Sequence, residues 1–149
     1  MPDRYLEDIQ VGQKLQVAPV AVTEEDVLEF ANRYDPQPMH NDPVAAALGP
    51  FGGLIASGWH TAALVMRMIV DAQPLGDNPI LGLGVDGIQW PLPVRPGDVL
   101  QLEIEVMAIT PSRSHPQYGV VKLRSTLRNQ HGEVVYVVSP NCWVPRRPG

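Results

Sequence analysis

Cysteine is nearly missing from this chain of 149 residues: Cys142 is the only one. That excludes an internal disulfide framework and any zinc cage built from several cysteines. Charge is sparse as well. Charged residues make up 18%, with 16 acids against 11 bases for a net −5 and a pI near 5.2. Such a balance argues against nucleic acid or an anionic membrane as the main partner. No long hydrophobic run occurs, since the longest helical one, Trp59 to Val70, is too short for a bilayer and contains Arg67. The opening Met-Pro-Asp-Arg-Tyr-Leu-Glu-Asp lacks the apolar core of a secretory signal. A soluble, cytoplasmic protein is expected. The 4 histidines have no ligand-type spacing, so no metal site is expected. A nucleophile elbow, a P-loop and a dinucleotide glycine fingerprint are all missing too.

What is present is globular. Hydrophobic residues make up 44%, and a chain of this size buries roughly 68–70% of its unfolded surface. The 13 glycines and 16 prolines are spread as punctuation, with no repeat or linker, so residues 1–149 read as one domain. The first half reads as loops and helices. Thr23-Glu24-Glu25-Asp26 resembles a capping box, and Val27, Phe30, Ala31 and Tyr34 fall on one face of a helix. Pro36 ends that helix at Asp35. Asn41-Asp42-Pro43 starts a short second one, stopped at Gly49. From Trp59 to Val70 the residues are apolar on nearly every face, the mark of a buried helix. The second half alternates in strand fashion: Leu100 to Met107, Val121 to Leu127, and Val134 to Val138 after a turn at Asn129-Gln130-His131-Gly132. Ile80 to Trp90 is a further strand broken by glycines. One buried helix with four or five antiparallel strands gives an α+β domain whose sheet wraps that helix.

Two stretches could carry chemistry. In Asp35-Pro36-Gln37-Pro38-Met39-His40 two prolines stiffen a loop that holds a carboxylate and an imidazole. Groups that move protons must be held within reach of one water, and an imidazole is the side chain that ordinarily changes charge near neutrality. The same residues also suit a surface loop in which Asp35 caps a turn and His40 is merely polar, and spacing alone favours that plainer reading. Ser57-Gly58 stands at the mouth of the apolar helix, where free amides and the dipole favour negative charge and a glycine permits close approach. An oxyanion hole for a thioester carbonyl is built this way, though a plain helix start needs a small residue equally.

The order of these motifs resembles the MaoC-like dehydratases, the (R)-specific enoyl-CoA hydratases. The resemblance rests on Asp35-Pro36-Gln37-Pro38-Met39-His40-Asn41-Asp42, on Leu54-Ile55-Ala56-Ser57-Gly58 running into the helix, on Trp90-Pro91-Leu92-Pro93-Val94-Arg95-Pro96-Gly97-Asp98, and on the Asn129 to Glu133 turn. Gln37 stands where the family has asparagine, and Ser57 where many members have histidine. The resemblance implies a hot dog fold, an antiparallel sheet around one long buried helix, working as a homodimer or larger homo-oligomer. It also implies an acyl-CoA (or acyl-carrier) thioester substrate, hydration of a trans-2-enoyl group to an (R)-3-hydroxyacyl product, and no cofactor. Asp35 and His40 would then hold the water, with the Gly58 N–H on the thioester oxygen. Ser57, Trp59 and Met66 would bind substrate. Apart from the resemblance, Arg113 between Ser112 and Ser114 in a loop between strands suits a substrate phosphate, though an exposed arginine in a polar turn fits equally. Two alternatives stay open: a hot dog thioesterase, disfavoured because the helix carries no acid before Asp71, and a non-catalytic acyl-CoA-binding subunit.

Overall fold

The computed structural model describes residues 2–149. A 3-10 turn at Leu6–Asp8 precedes β1 (Lys14–Ala21) and α1 (Glu24–Tyr34). Two short helices, α2 (Pro38–Asn41) and α3 (Pro43–Leu48), lead to the long α4 (Gly58–Ala72). The strands β2 (Leu81–Gln89), β3 (Val99–Pro111), β4 (Tyr118–Arg128) and β5 (Val134–Pro145) complete the chain. All five strands form one antiparallel sheet in the order β1-β3-β4-β5-β2. No helix among the described residues is long and apolar enough to cross a membrane.

Alternation decides which side of the sheet meets α4. Leu100, Leu102, Ile104 and Val106 on β3 point inward and are buried, while Gln101 and Glu103 between them are not. Val121 and Leu127 on β4, and Val135, Val138, Cys142 and Val144 on β5, continue that inner face. The sheet curls over one stripe of α4 formed by Thr61, Val65, Met68 and Ile69. This is the hot dog arrangement expected.

The helix is not buried all round, however. Trp59, Met66 and Val70 are 59%, 55% and 53% exposed. A sheet can cover only one side of a helix, and these residues recur on the opposite stripe. The apolar pattern of α4 therefore combines a buried stripe with a second one that this chain leaves uncovered. Leu81, Leu83 and Val85 on the edge strand β2 are likewise about half exposed.

Thr23 accepts from the Asp26 amide and starts α1, whose Val27 and Ala31 are fully buried. Pro36 stops α1 one residue past Tyr34, leaving Asp35 as its C-cap. The stretch after it was expected as a stiff loop. It makes one further helical turn instead, since Pro38 occupies a first-turn position where its missing N–H costs nothing.

Candidate active site

Three segments meet at the N-terminal end of α4. The Ile55 amide donates to the Met39 carbonyl at 3.0 Å, and the Ala56 amide to the Val94 carbonyl at 2.8 Å. These two bonds staple the strap before α4 to α2 on one side and to the Trp90–Val94 segment on the other. The α2 turn brings His40 inward, where it is 5% exposed.

The His40 ring is anchored through Nδ1. Nδ1 lies 2.8 Å from the Ile55 carbonyl oxygen. A carbonyl only accepts, so Nδ1 carries the proton and donates. Nε2 faces Asp35 Oδ2 at 3.4 Å. The Asp35 carboxylate is itself held by two donors: Ser57 Oγ–H on Oδ2 at 2.6 Å and Gln37 Nε2–H on Oδ1 at 2.6 Å. Its pKa is held below the ordinary carboxylate value, mainly by the Ser57 hydroxyl and then by Gln37, against the opposing effect of burial. The site therefore pairs an anchored carboxylate with an imidazole whose Nε2 is free for exchange.

Gly58 is the first residue of α4 and lines the adjoining cleft of about 290 Å³, together with His40, Phe51, Thr61, Trp90 and Val94. Its amide belongs to the first turn, where helix N–H groups have no intrahelical acceptor. Trp90 Nε1 donates to the Gly58 carbonyl at 2.9 Å. A Cβ added at Gly58 would sit 2.9 Å from Trp90 Cε2. Glycine is required here by the packed indole rather than by an unusual backbone angle.

The structure thus brings Asp35, His40 and Gly58 together with Ser57, while Met66 and Arg113 lie outside the lining of the cleft. Ser57 is fully buried and spends its hydroxyl on Asp35 rather than on the cleft. Trp59 lies on the outer stripe of α4 with its ring edge against Trp90, centroids 5.2 Å apart. Met66 follows it on the same exposed stripe, outside the cleft lining. Arg113 is on the exposed turn between β3 and β4. The cleft lining reaches Val94, shortly before β3 begins at Val99, whereas Arg113 follows the end of that strand at Pro111. At about 3.3 Å of rise per strand residue, those ends are some tens of ångströms apart. Not readable in the sequence were Gln37 as a donor to Asp35 and the Ile55 carbonyl as the acceptor for His40.

A second cavity, of about 300 Å³, lies at the other end of α4. Ile9, Leu15, Ile69, Leu75, Ile104 and Cys142 line it, with Arg4 and Lys14 also on its walls. Burial pushes the Cys142 thiol pKa up. Among the described residues no cluster of side chains could hold a metal ion.

A family profile described as "MaoC like domain" matches residues 8–128. A crystal structure described as a MaoC-like dehydratase from Rhodospirillum rubrum superposes with a TM-score of 0.92 at 45% identity, covering 98% of this chain and 99% of that one. The unliganded R-hydratase PhaJ1 from Pseudomonas aeruginosa superposes with a TM-score of 0.80 at 27% identity, over 97% and 88% of the two chains. In sequence, a 3-hydroxybutyryl-CoA dehydratase of Methylorubrum extorquens is 31% identical over 110 residues, 73% of this chain and 68% of that protein.

Proposed function

The chain belongs to the MaoC-like domain family, and from that premise we propose that it hydrates trans-2-enoyl thioesters of coenzyme A or an acyl carrier, yielding the (R)-3-hydroxyacyl thioester. The observation that carries this reading is the anchored pair: Asp35 Oδ2 and His40 Nε2, 3.4 Å apart beside the first turn of α4. Two of the relatives named above are an R-hydratase and a 3-hydroxybutyryl-CoA dehydratase.

Water binds across Oδ2 and Nε2, donating to each. Its oxygen attacks C3 of the enoyl group as Nε2 takes one of its protons. The C2=C3 electron pair moves toward the thioester carbonyl, and the oxygen that gains charge is met by the Gly58 N–H and the helix dipole. The imidazolium then returns a proton to C2. Water has been added across the double bond, and the enzyme ends in its starting protonation state. Asp35, an acceptor only while ionised, orients the water and stabilises the transient imidazolium.

The apolar stripe of Trp59, Met66 and Val70 together with the β2 edge suits a second copy of the chain, so the working form is a homodimer or larger homo-oligomer. The test is a panel of enoyl-CoA chain lengths offered to the purified protein, following loss of the conjugated thioester absorbance. Turnover of at least one member is expected. Release of free coenzyme A without hydration would favour a thioesterase, and silence unless a partner chain is added would favour a binding subunit.

A further inference from the structure

Ser57 is the N-cap residue of α4, yet its side chain makes no capping bond. A serine at such a position ordinarily turns its oxygen to accept an amide of the first turn. Here the hydroxyl turns the other way and donates to Asp35 Oδ2 at 2.6 Å, the same oxygen that faces His40 Nε2. The residue is fully buried, so its hydroxyl is shielded from bulk water, while the Asp35 side chain stays 20% exposed. The two nearest helix amides, of His60 and Thr61, bond to the Ser57 carbonyl instead, which leaves the hydroxyl free to serve the carboxylate.

We propose that Ser57 is a positioning residue of the hydration step: by tying Oδ2 in place opposite Nε2, it keeps Asp35 the anion that orients water and leaves proton exchange to His40. This rests on the hydratase reading above. The physical argument is one of saturation. With Ser57 on Oδ2 and Gln37 on Oδ1, each carboxylate oxygen already accepts a charge-assisted hydrogen bond, and each such bond lowers the carboxylate's affinity for a proton. The groups that bear on Asp35 come from three elements: Ser57 leading α4, Gln37 before α2, and His40 within α2. A capping hydroxyl would have stabilised the helix; this one is given to the site.

The experiment compares wild type, Ser57→Ala and Ser57→Thr with crotonyl-CoA across pH, each variant accompanied by a thermal melt. Ser57→Ala is expected to lower kcat by about 10–100-fold, the scale for an outer partner that orients a reacting group. KM should stay within about twofold, because the hydroxyl does not touch substrate. The acid limb of kcat/KM should move to higher pH, since a carboxylate that loses a donor binds its proton more readily. Ser57→Thr, which keeps the hydroxyl, should restore both kcat and the limb. A Ser57→Ala protein with wild-type kcat and an unmoved limb overturns the proposal. So does a loss of kcat that leaves the limb unmoved and that threonine does not repair, which would mark a packing role alone. A parallel arm follows the Asp35 carboxyl titration by carbon-detected NMR, which needs no turnover. If wild type hydrates no enoyl thioester, the hydratase reading fails, and this arm still judges the tie: a rise of the Asp35 titration in Ser57→Ala supports it, and an unchanged titration overturns it.

Discussion

At its N-terminal end α4 meets a carboxylate, an imidazole, a hydroxyl and an indole N–H; at its C-terminal end it meets almost entirely hydrocarbon. Both ends adjoin a space of similar size, about 290 Å³ beside Gly58 and about 300 Å³ beside Ile69. Volume therefore does not distinguish a reactive cleft from a passive one. What distinguishes them is the supply of groups that can move or stabilise charge. The first turn of a helix offers unpaired amides and the positive end of the dipole, so polar side chains collect there at little cost. Beside Ile69 the helix amides are spent within the helix and the walls are strand side chains from the inner face of the sheet. That end suits an apolar group, with Arg4 and Lys14 the charged part of its walls.

The comparison breaks most directly at the polar end. Asp35→Asn and His40→Ala are each expected to lower hydratase kcat by about 10²–10⁴-fold while the protein stays folded. The two act as a unit, so the double variant should be little worse than the poorer single one. Steady-state kinetics on an enoyl-CoA reads both, and full activity in either single variant would remove the pair from the mechanism.

Gly58→Val comes next. A blocked oxyanion donor costs about 10²–10³ in kcat. The new side chain must also push against Trp90, whose ring atoms already lie 2.9–3.0 Å from where its Cβ would sit. A melt and circular dichroism must accompany the kinetics. Near-normal turnover in the folded variant would take the oxyanion role from this amide.

At the apolar end the expectation inverts. Ile69 is 6% exposed on the wall of a cavity that already exists. Ile69→Ala should therefore cost about 2–5 kcal/mol of stability, with the neighbours unable to collapse fully. Turnover of a four-carbon enoyl-CoA below the melting range should be unchanged. Denaturant unfolding beside the kinetic assay separates the two quantities, and a large loss of kcat with intact stability would couple the two ends.

How much of this contrast was legible in the sequence follows from the physics of each part. The strands, the Thr23 cap and the helix ends were readable, because alternation, Thr23, Pro36 and Asn129 act on their own neighbours; of the expected capping box only the Thr23 half forms. The two exposed stripes were not. Apolar residues at Trp59, Met66 and Val70 have the same chemistry as Val65 and Ile69, and only the curl of the sheet decides which set is covered. Asp35 and His40 were legible as a pair because they are neighbours on a proline-stiffened segment. Ser57 and Gln37 were readable as positions but not as partners of Asp35, since each could have turned its side chain elsewhere. Trp59 and Met66 were expected at the substrate from the motif resemblance and Arg113 from its loop; helix phase puts Met66 outside the cleft lining, strand length does the same for Arg113, and Trp59 packs its ring edge on the cleft residue Trp90.

A smaller effect tests what the polar end costs the fold. His60, one turn into α4, stacks on Phe30 at 5.0 Å, and its Nδ1 is buried without a partner. Burial holds its pKa below 6.5, with the nearby Asp26 charge opposing that shift. The folded protein thus prefers the neutral ring, whereas the unfolded chain takes up the proton at the ordinary value. Stability should be intact above pH 6.5 and decline as pH falls from there through the folded value. Melting temperatures across that interval should fall in wild type and fall less in His60→Gln.

The smallest effect is expected at Arg113, the weakest of the binding expectations. Arg113 is exposed on the β3–β4 turn, beyond the far end of the strand whose start adjoins the cleft. An exposed arginine at that distance is screened by water and salt, with a Debye length of about 8 Å under physiological conditions. Arg113→Ala should leave kcat/KM for an enoyl-CoA within about twofold of wild type, and the ratio of that value to the one for a phosphate-free pantetheine thioester should not move. The ratio is the sensitive quantity, because a lost phosphate contact lowers only its coenzyme A side. If the ratio falls about tenfold, a guanidinium remote from the cleft of its own chain must reach the cleft of another, and assembly through the β2 edge would become part of substrate binding rather than of stability alone.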